Sequence, residues 1–346
     1  MGSQNKIVIG QIGVGGFGGH RRLQIRETGL FRLAACHDRN EDVLRKACAE
    51  EGSEAVGTWQ ELIDRADLEA IVVSTGIDTH AELAVAAMRA GKHVFIEKPL
   101  CSSTEEVDAL LSAQEETGLV VGMGHKSMAG DYLLELIRKL QDEDKLGTLV
   151  CYEENSSHSG GLEIKPGDWR GIKWRNPGGM LMQCGVHSLH HLTHQFGLVE
   201  SVAAMMRFDA NPDTETADAA NVLIRHESGM IGTLSCYHVT AYIHEFRLFG
   251  TKGTLYVDTY SRRAWYQARK RNDREERVEL EITSEPAGSS CANLVTWARA
   301  IRGEGEPSPS LQDGINAVLP VFAAEISDRD NRPVTMSELT LKVVPI

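Results

Sequence analysis

The feature that most restricts this chain is a glycine-rich turn set between a hydrophobic strand and a helix. Residues 6–12 (K-I-V-I-G-Q-I) read as a strand, and Gly13-Val14-Gly15-Gly16-Phe17-Gly18 follows at once. A polar, helix-like segment then runs from Gly19 to about Thr28 and stops at Gly29. Gly-x-Gly-x-x-Gly is common in loops; the strand before it and the helix after it give it meaning here. Gly13 permits a tight turn, Gly15 lets the backbone approach a pyrophosphate, and Gly18 lets helix pack closely on strand. Gly16 and Phe17 complete the turn and are expected at the same cofactor. A second strand, Phe31 to Cys36, leads to Asp38, where a carboxylate can accept hydrogen bonds from ribose hydroxyls. Its charge would repel a 2′-phosphate, so NAD is expected over NADP; Arg39 beside it leaves NADP open.

Strand and helix patterns continue to alternate. Ala70 to Ser74 reads as a buried strand, and Thr79-His80-Ala81-Glu82 fits a capping box opening an alanine-rich helix that Gly91 closes. Val94-Phe95-Ile96 is a further strand, ending in Glu97-Lys98-Pro99. Ser103 caps a helix running to about Thr117, Gly118 stops it, and residues 119–122 form the next strand. Such alternation means a parallel sheet covered on both faces, with its ligand crevice at the carboxyl ends of the strands. Ser74, Thr75, Glu97 and Lys98 are therefore expected to line a cofactor site. Pro99 restricts the lysine before it and helps to aim the ammonium. The competing reading of Glu97-Lys98 is an ordinary surface ion pair. His80 has two readings as well, a group near the cofactor or a solvent-facing first-turn histidine.

From about residue 125 the pattern changes, and two domains are expected, 1–124 and 125–346. A helix near Asp131 to Leu140 precedes a strand from Thr148 to about Asn155. The loop from Ser156 to Pro177 holds Asp168-Trp169-Arg170 and Trp174, a set suited to a polyhydroxylated ligand or to pinning the loop down. Gly178-Gly179 then begin a helix carrying Gln183, His187, His190, His191 and His194. The i, i+4 histidine pairs could face one ion, but they alternate with Leu189, Leu192 and Phe196 and lack H-E-x-x-H, so no metal is expected. Five strands between residues 199 and 258, an edge hairpin over 262–282 and helices near 292–302 and 311–328 complete an antiparallel platform. The apolar face of such a sheet needs a cover, which predicts a homo-oligomer, a dimer or tetramer. The net charge of −13 argues against nucleic acid and anionic membranes as partners. Seven scattered cysteines without a C-x-x-C, and no apolar run of membrane-spanning length, point to reduced thiols in the cytoplasm.

Four motifs in order, the glycine turn, S-T-G-I-D-T-H (74–80), A-G-K-H-V-F-I-E-K-P (90–99) and G-G-M-L-M-Q-C-G-V-H (178–187), resemble the Gfo/Idh/MocA oxidoreductases along essentially the whole chain. The resemblance implies an N-terminal Rossmann domain, doubly wound around a parallel sheet, and a C-terminal α+β domain on a large, mostly antiparallel sheet. It also implies hydride transfer between nicotinamide and a secondary hydroxyl of a sugar, cyclitol or related polyol. Lys98 and His187 match the family's catalytic pair and Gln183 stands at its neighbouring helix position; Asp168, Trp169, Arg170 and Trp174, read above from their own chemistry, are expected to join them around the substrate. The chain departs from the family at Gln183, where aspartate is usual, at His190, where an acid is often found, and at Gly76, often proline. Two rival readings are a glycosidase that uses bound NAD transiently and a non-catalytic NAD-binding sensor.

Overall fold

The computed structural model describes residues 6–128, 131–271, 273–282 and 291–339. Described residues up to 127 and from 291 to 315 form one compact unit; those from 128 to 282 and from 316 to 339 form the other. Residues 291–315, expected in the second domain, thus belong with the first unit.

The first unit is built on β1 (Ile7–Ile12), β2 (Phe31–His37), β3 (Glu54–Ala55), β4 (Ala70–Val73), β5 (His93–Ile96) and β6 (Val121–Met123). They form one sheet in the order β3-β2-β1-β4-β5-β6, every pair parallel. Helices α1 (Phe17–Thr28), α2 (Glu41–Glu51), α3 (Trp59–Ile63), α4 (Ile77–Arg89) and α5 (Thr104–Thr117) connect them. Local chemistry sets several ends: Asn40 caps α2, Ser103 caps α5, and Gly118 closes α5 with φ 64°. The expected capping box at Thr79 does not form. Gly76 precedes α4, and the Thr79 hydroxyl donates to the Gly76 carbonyl from inside the first turn. This earlier start places His80 on the inner face, 1% exposed, so the solvent-facing reading is incorrect.

The strand ends fall in one row. Ile12 pairs with His37 and Val73, Val73 with Ile96, and Ile96 with Met123. Asp38, Gly13, Ser74 and Glu97 therefore leave the sheet at the same edge.

The helix Ala292–Ile301 explains why the late segment belongs here. Trp297, fully buried, has its ring 5.3 Å from those of Phe31 and Phe95, and a side chain at Gly122 would come within 2.8 Å of it. The amide of Met123 donates to the Pro309 carbonyl.

The second unit begins with α6 (Tyr132–Asp142) and β7 (Leu149–Ser157); α7 (Val186–Phe196) follows the long loop. Then come β8 (Val199–Arg207), β9 (Ala219–His226), β10 (Ile231–Tyr237), β11 (Ile243–Gly250), β12 (Gly253–Asp258), β13 (Arg263–Lys270), β14 (Asp273–Arg274) and β15 (Val278–Leu280). The helix at 292–301 is α8, α9 (Leu311–Asp330) carries the chain back, and β16 (Val334–Thr335) ends the sheet. The order is β14-β13-β12-β11-β7-β10-β9-β8-β16, with β15 on β13, and only β7 and β10 run parallel. One face of α6 (Tyr132, Leu133, Leu136, Ile137, Leu140) packs with Tyr152, Phe246, Leu248 and Leu255, and Leu192 and Phe196 of α7 join this core. On the other sheet face Val150, Met205, Leu223 and Ile231 are exposed. No helix among the described residues is long and apolar enough to cross a membrane.

Candidate active site

In the first unit the glycine turn is shaped by close approach. Gly13 has φ 81°, and a Cβ there would lie 2.5 Å from the Ser74 carbonyl; one at Gly18 would lie 2.3 Å from that of Gly13. Gln11, fully buried in β1, donates from Nε2 to the carbonyls of Gly13 and Gly18, both at 2.9 Å, and ties the turn shut. Sequence reading passed over Gln11, although a glutamine inside an apolar strand was a usable signal. Gly16 precedes α1 with φ 49°; no side chain caps the helix, and no acid lies in its first turn. Phe17, at the first position of α1, is 53% exposed. Asp38 Oδ2 accepts from the amides of Val14 (2.9 Å) and Gly15 (3.3 Å), and Oδ1 from that of Asn40 (2.9 Å). Arg39 next to it is exposed. A turn whose glycines at 13 and 18 leave no room for a Cβ, an uncapped helix start and a fixed, half-buried carboxylate fit a dinucleotide.

Around β5 the groups divide. Lys98 is half-buried and precedes a cis bond to Pro99. Glu97 is buried, its Oε1 accepting from Arg21 Nε at 2.5 Å, so its carboxylate is neither half of a surface ion pair nor turned to an open cofactor site as expected. His80 sets Nδ1 2.8 Å from the Pro99 carbonyl and Nε2 3.2 Å from that of Thr75. Burial pushes its pKa down, although the two carbonyls and Glu97 oppose this. A neutral ring has one proton, and the shorter contact assigns it to Nδ1. His80 is thus tied through Nδ1 to the loop after β5, while its Nε2 faces the Thr75 carbonyl of the loop after β4. The Thr75 and Thr79 hydroxyls lie 2.7 Å apart, and the Ser74 amide donates to the Ile12 carbonyl.

In the second unit Gly178 and Gly179 take φ 70° and 54°, and the regular helix expected from them starts later. A π-helical turn, Leu181–Gly185, comes first and carries half-buried Gln183, and exposed His187 lies in the first turn of α7. His191 bonds Glu154 of β7 at 3.0 Å, and the His190 and His194 rings meet at 4.8 Å. Asp168 accepts from the Arg170 amide (3.0 Å) and pairs with its guanidinium (3.4 Å), which lies 4.7 Å over the Trp169 ring. These three residues lock one another, and Trp174 beyond them is 69% exposed.

A second group was not foreseen. His158 follows β7, His238 follows β10, and Tyr242 and His244 stand at the start of β11. Because β7 lies between β10 and β11, these three strand ends coincide. His158 Nδ1 accepts from the Gly160 amide at 2.8 Å, which leaves the proton of the neutral ring on Nε2, directed at Cys184 Sγ 3.4 Å away. The His238 ring lies 5.2 Å from that of His158, and Tyr242 stacks on His244 at 4.6 Å. Burial, then His158 and Arg170, push His238 down to about 4, and burial also lowers His158 and His244. Neutral imidazoles, able both to donate and to accept, suit hydroxyl groups. Their scatter along the sequence hid them until the strand order was known.

Comparison with known proteins agrees with this architecture. Residues 7–125 match an oxidoreductase family's NAD-binding Rossmann fold, and residues 134–256 match the GFO/IDH/MocA C-terminal domain. The myo-inositol 2-dehydrogenase of Thermotoga maritima is 26% identical over 338 residues, covering 96% of this chain and 99% of that protein. The scyllo-inositol 2-dehydrogenase (NAD(+)) of Bacillus subtilis is 26% identical over 227 residues, 64% of this chain and 63% of that one. In structure, levoglucosan dehydrogenase in complex with NADH superposes with a TM-score of 0.80 at 20% identity, covering 96% of this chain and 99% of that one. Two domain matches, in the order and at the positions of the two sheets, make this chain a member of the Gfo/Idh/MocA family of NAD(P)-dependent oxidoreductases.

Proposed function

We propose that the protein is an NAD-dependent dehydrogenase that removes hydride from a secondary hydroxyl of a sugar, cyclitol or related polyol. The observation that carries this reading is the single row of strand ends from which the glycine turn, Asp38, Ser74 and Lys98 emerge. Asp38 disfavours a 2′-phosphate, so NAD is the cofactor rather than NADP. When bound, the dinucleotide supplies the hydride acceptor. His187 takes the hydroxyl proton, and Lys98 stabilises the developing alkoxide. Gln183, Asp168, Trp169, Arg170 and Trp174 orient the remaining hydroxyls, and His158 and Tyr242 join them. The names of the inositol dehydrogenase relatives support a cyclitol or sugar. The protein works in the cytoplasm as a homo-oligomer, the apolar sheet face with Leu223 and Met205 being covered by a second copy.

The test is near-ultraviolet absorbance of the protein with NAD and a panel of sugars and cyclitols. The reduced-nicotinamide band should grow with one substrate class. Lys98→Met should lower turnover about 10²–10⁴-fold and leave NADH affinity within about threefold. Silence across the panel, with NADH shown to bind, would overturn the dehydrogenase reading.

A further inference from the structure

A glutamate beside a lysine at a strand end ordinarily faces solvent, yet Glu97 turns into the first unit and meets Arg21. Arg21 lies one helical turn past Phe17 on α1, and its guanidinium sits 4.8 Å over the Phe95 ring and 5.7 Å from that of Phe17. Only 1% of Arg21 and 4% of Glu97 is exposed. Arg21 Nη1 reaches Asn293 Oδ1 at 3.5 Å, and Asn293 Nδ2 donates to the His125 carbonyl at 2.9 Å. The guanidinium therefore joins the helix of the glycine turn, the end of β5 and the chain beyond β6. Buried ion pairs are often no more stable than apolar side chains of similar volume, so stability alone does not account for this one, and a demand on position does. That demand lies next door. The residue before Lys98 is tied through its carboxylate to α1, and the residue after it is tied through its carbonyl to His80 of α4.

We propose that Arg21 is a positioning residue for Lys98: by holding Glu97 inside the unit, it fixes the backbone from which the lysine side chain departs. The inference rests on the reading that Lys98 acts beside the bound cofactor.

The experiment compares the unaltered protein with Arg21→Met and with Arg21→Met/Glu97→Met. The double variant leaves no unpaired buried charge and carries the test if the single one does not fold. NADH affinity is read by fluorescence. Lys98 is labelled with pyridoxal 5′-phosphate and borohydride and located by peptide mass spectrometry. The lysine amine condenses with the aldehyde, releasing water, and borohydride reduces the imine to a secondary amine. NADH should bind the variants within about threefold of normal. It should nevertheless protect Lys98 about tenfold less well, and kcat on a turned-over substrate should fall about 10–100-fold with KM little changed. Unchanged protection in the folded double variant would overturn the proposal. So would a parallel loss of NADH affinity, which would make Arg21 a determinant of cofactor binding. Labelling of the unaltered protein that ignores NADH would remove Lys98 from the cofactor site, and the inference with it. That failure shows in the unaltered protein, whereas failure of the tether alone shows only in the variants.

Discussion

Asp38 accepts hydrogen bonds from three amides, so its charge is fixed in place at the mouth of the glycine turn. On the proposed reading, removing it takes away both a ribose acceptor and a repulsion against phosphate. Asp38→Ala should weaken NADH binding about tenfold and shift the NADPH/NADH affinity ratio towards NADPH by about 10–100-fold. Fluorescence titration with both reduced cofactors checks this, and an unmoved ratio would mean that Asp38 does not discriminate. The location of this residue was legible because strand, turn and acid are local in sequence. So was Lys98 at the end of β5. The inward turns of Glu97 and His80 were not, since their partners, Arg21 and the Pro99 carbonyl, lie 76 and 19 positions away.

Elements were read well where their ends carry local chemistry. Helix α5 begins after Ser103 and ends before Gly118 as its caps dictate, whereas α4 starts before Thr79 because Gly76 already releases the chain into the helix. The assignment of α8 depends on one large side chain. Trp297→Ala should destabilise the protein by about 3–5 kcal/mol, read by chemical denaturation while following NADH binding. The indole nitrogen has no hydrogen-bond partner among the described residues, so Trp297→Phe should cost much less. Equal losses in the two variants would mean that ring packing on Phe31 and Phe95 is not what holds α8. The strand order that brings His158, His238 and His244 together was illegible for a related reason. A long loop, α7, β8 and β9 separate β7 from β10, and no local pattern tells which strand lies between which.

At the scale of the whole molecule, buried neutral histidines make stability depend on pH. The folded-state pKa of His238 is depressed to about 4 from 6.5, and burial lowers His80 and His226 as well. The unfolded chain therefore binds more protons below pH 6.5. Stability is fully present above that value and is lost as pH falls towards 4, by up to roughly 3 kcal/mol for His238 alone. Glu325, whose carboxyl is raised by burial, opposes the trend. Denaturation midpoints measured from pH 7.5 down to about 4.5 should fall, and His238→Asn should flatten the slope; an unchanged slope would show that other groups carry it.

The return of residues 291–315 to the first unit also has a meaning during synthesis. Between Met123 at the end of β6 and Trp297, the ribosome makes the strands β7 to β15. At roughly 5–20 residues per second that interval lasts about 10–30 s. Throughout it Phe31, Phe95 and Gly122 lack the side chain that covers them. The dinucleotide half, although begun first, is completed late, and a nascent chain halted between its two halves displays an apolar seat for chaperones to hold.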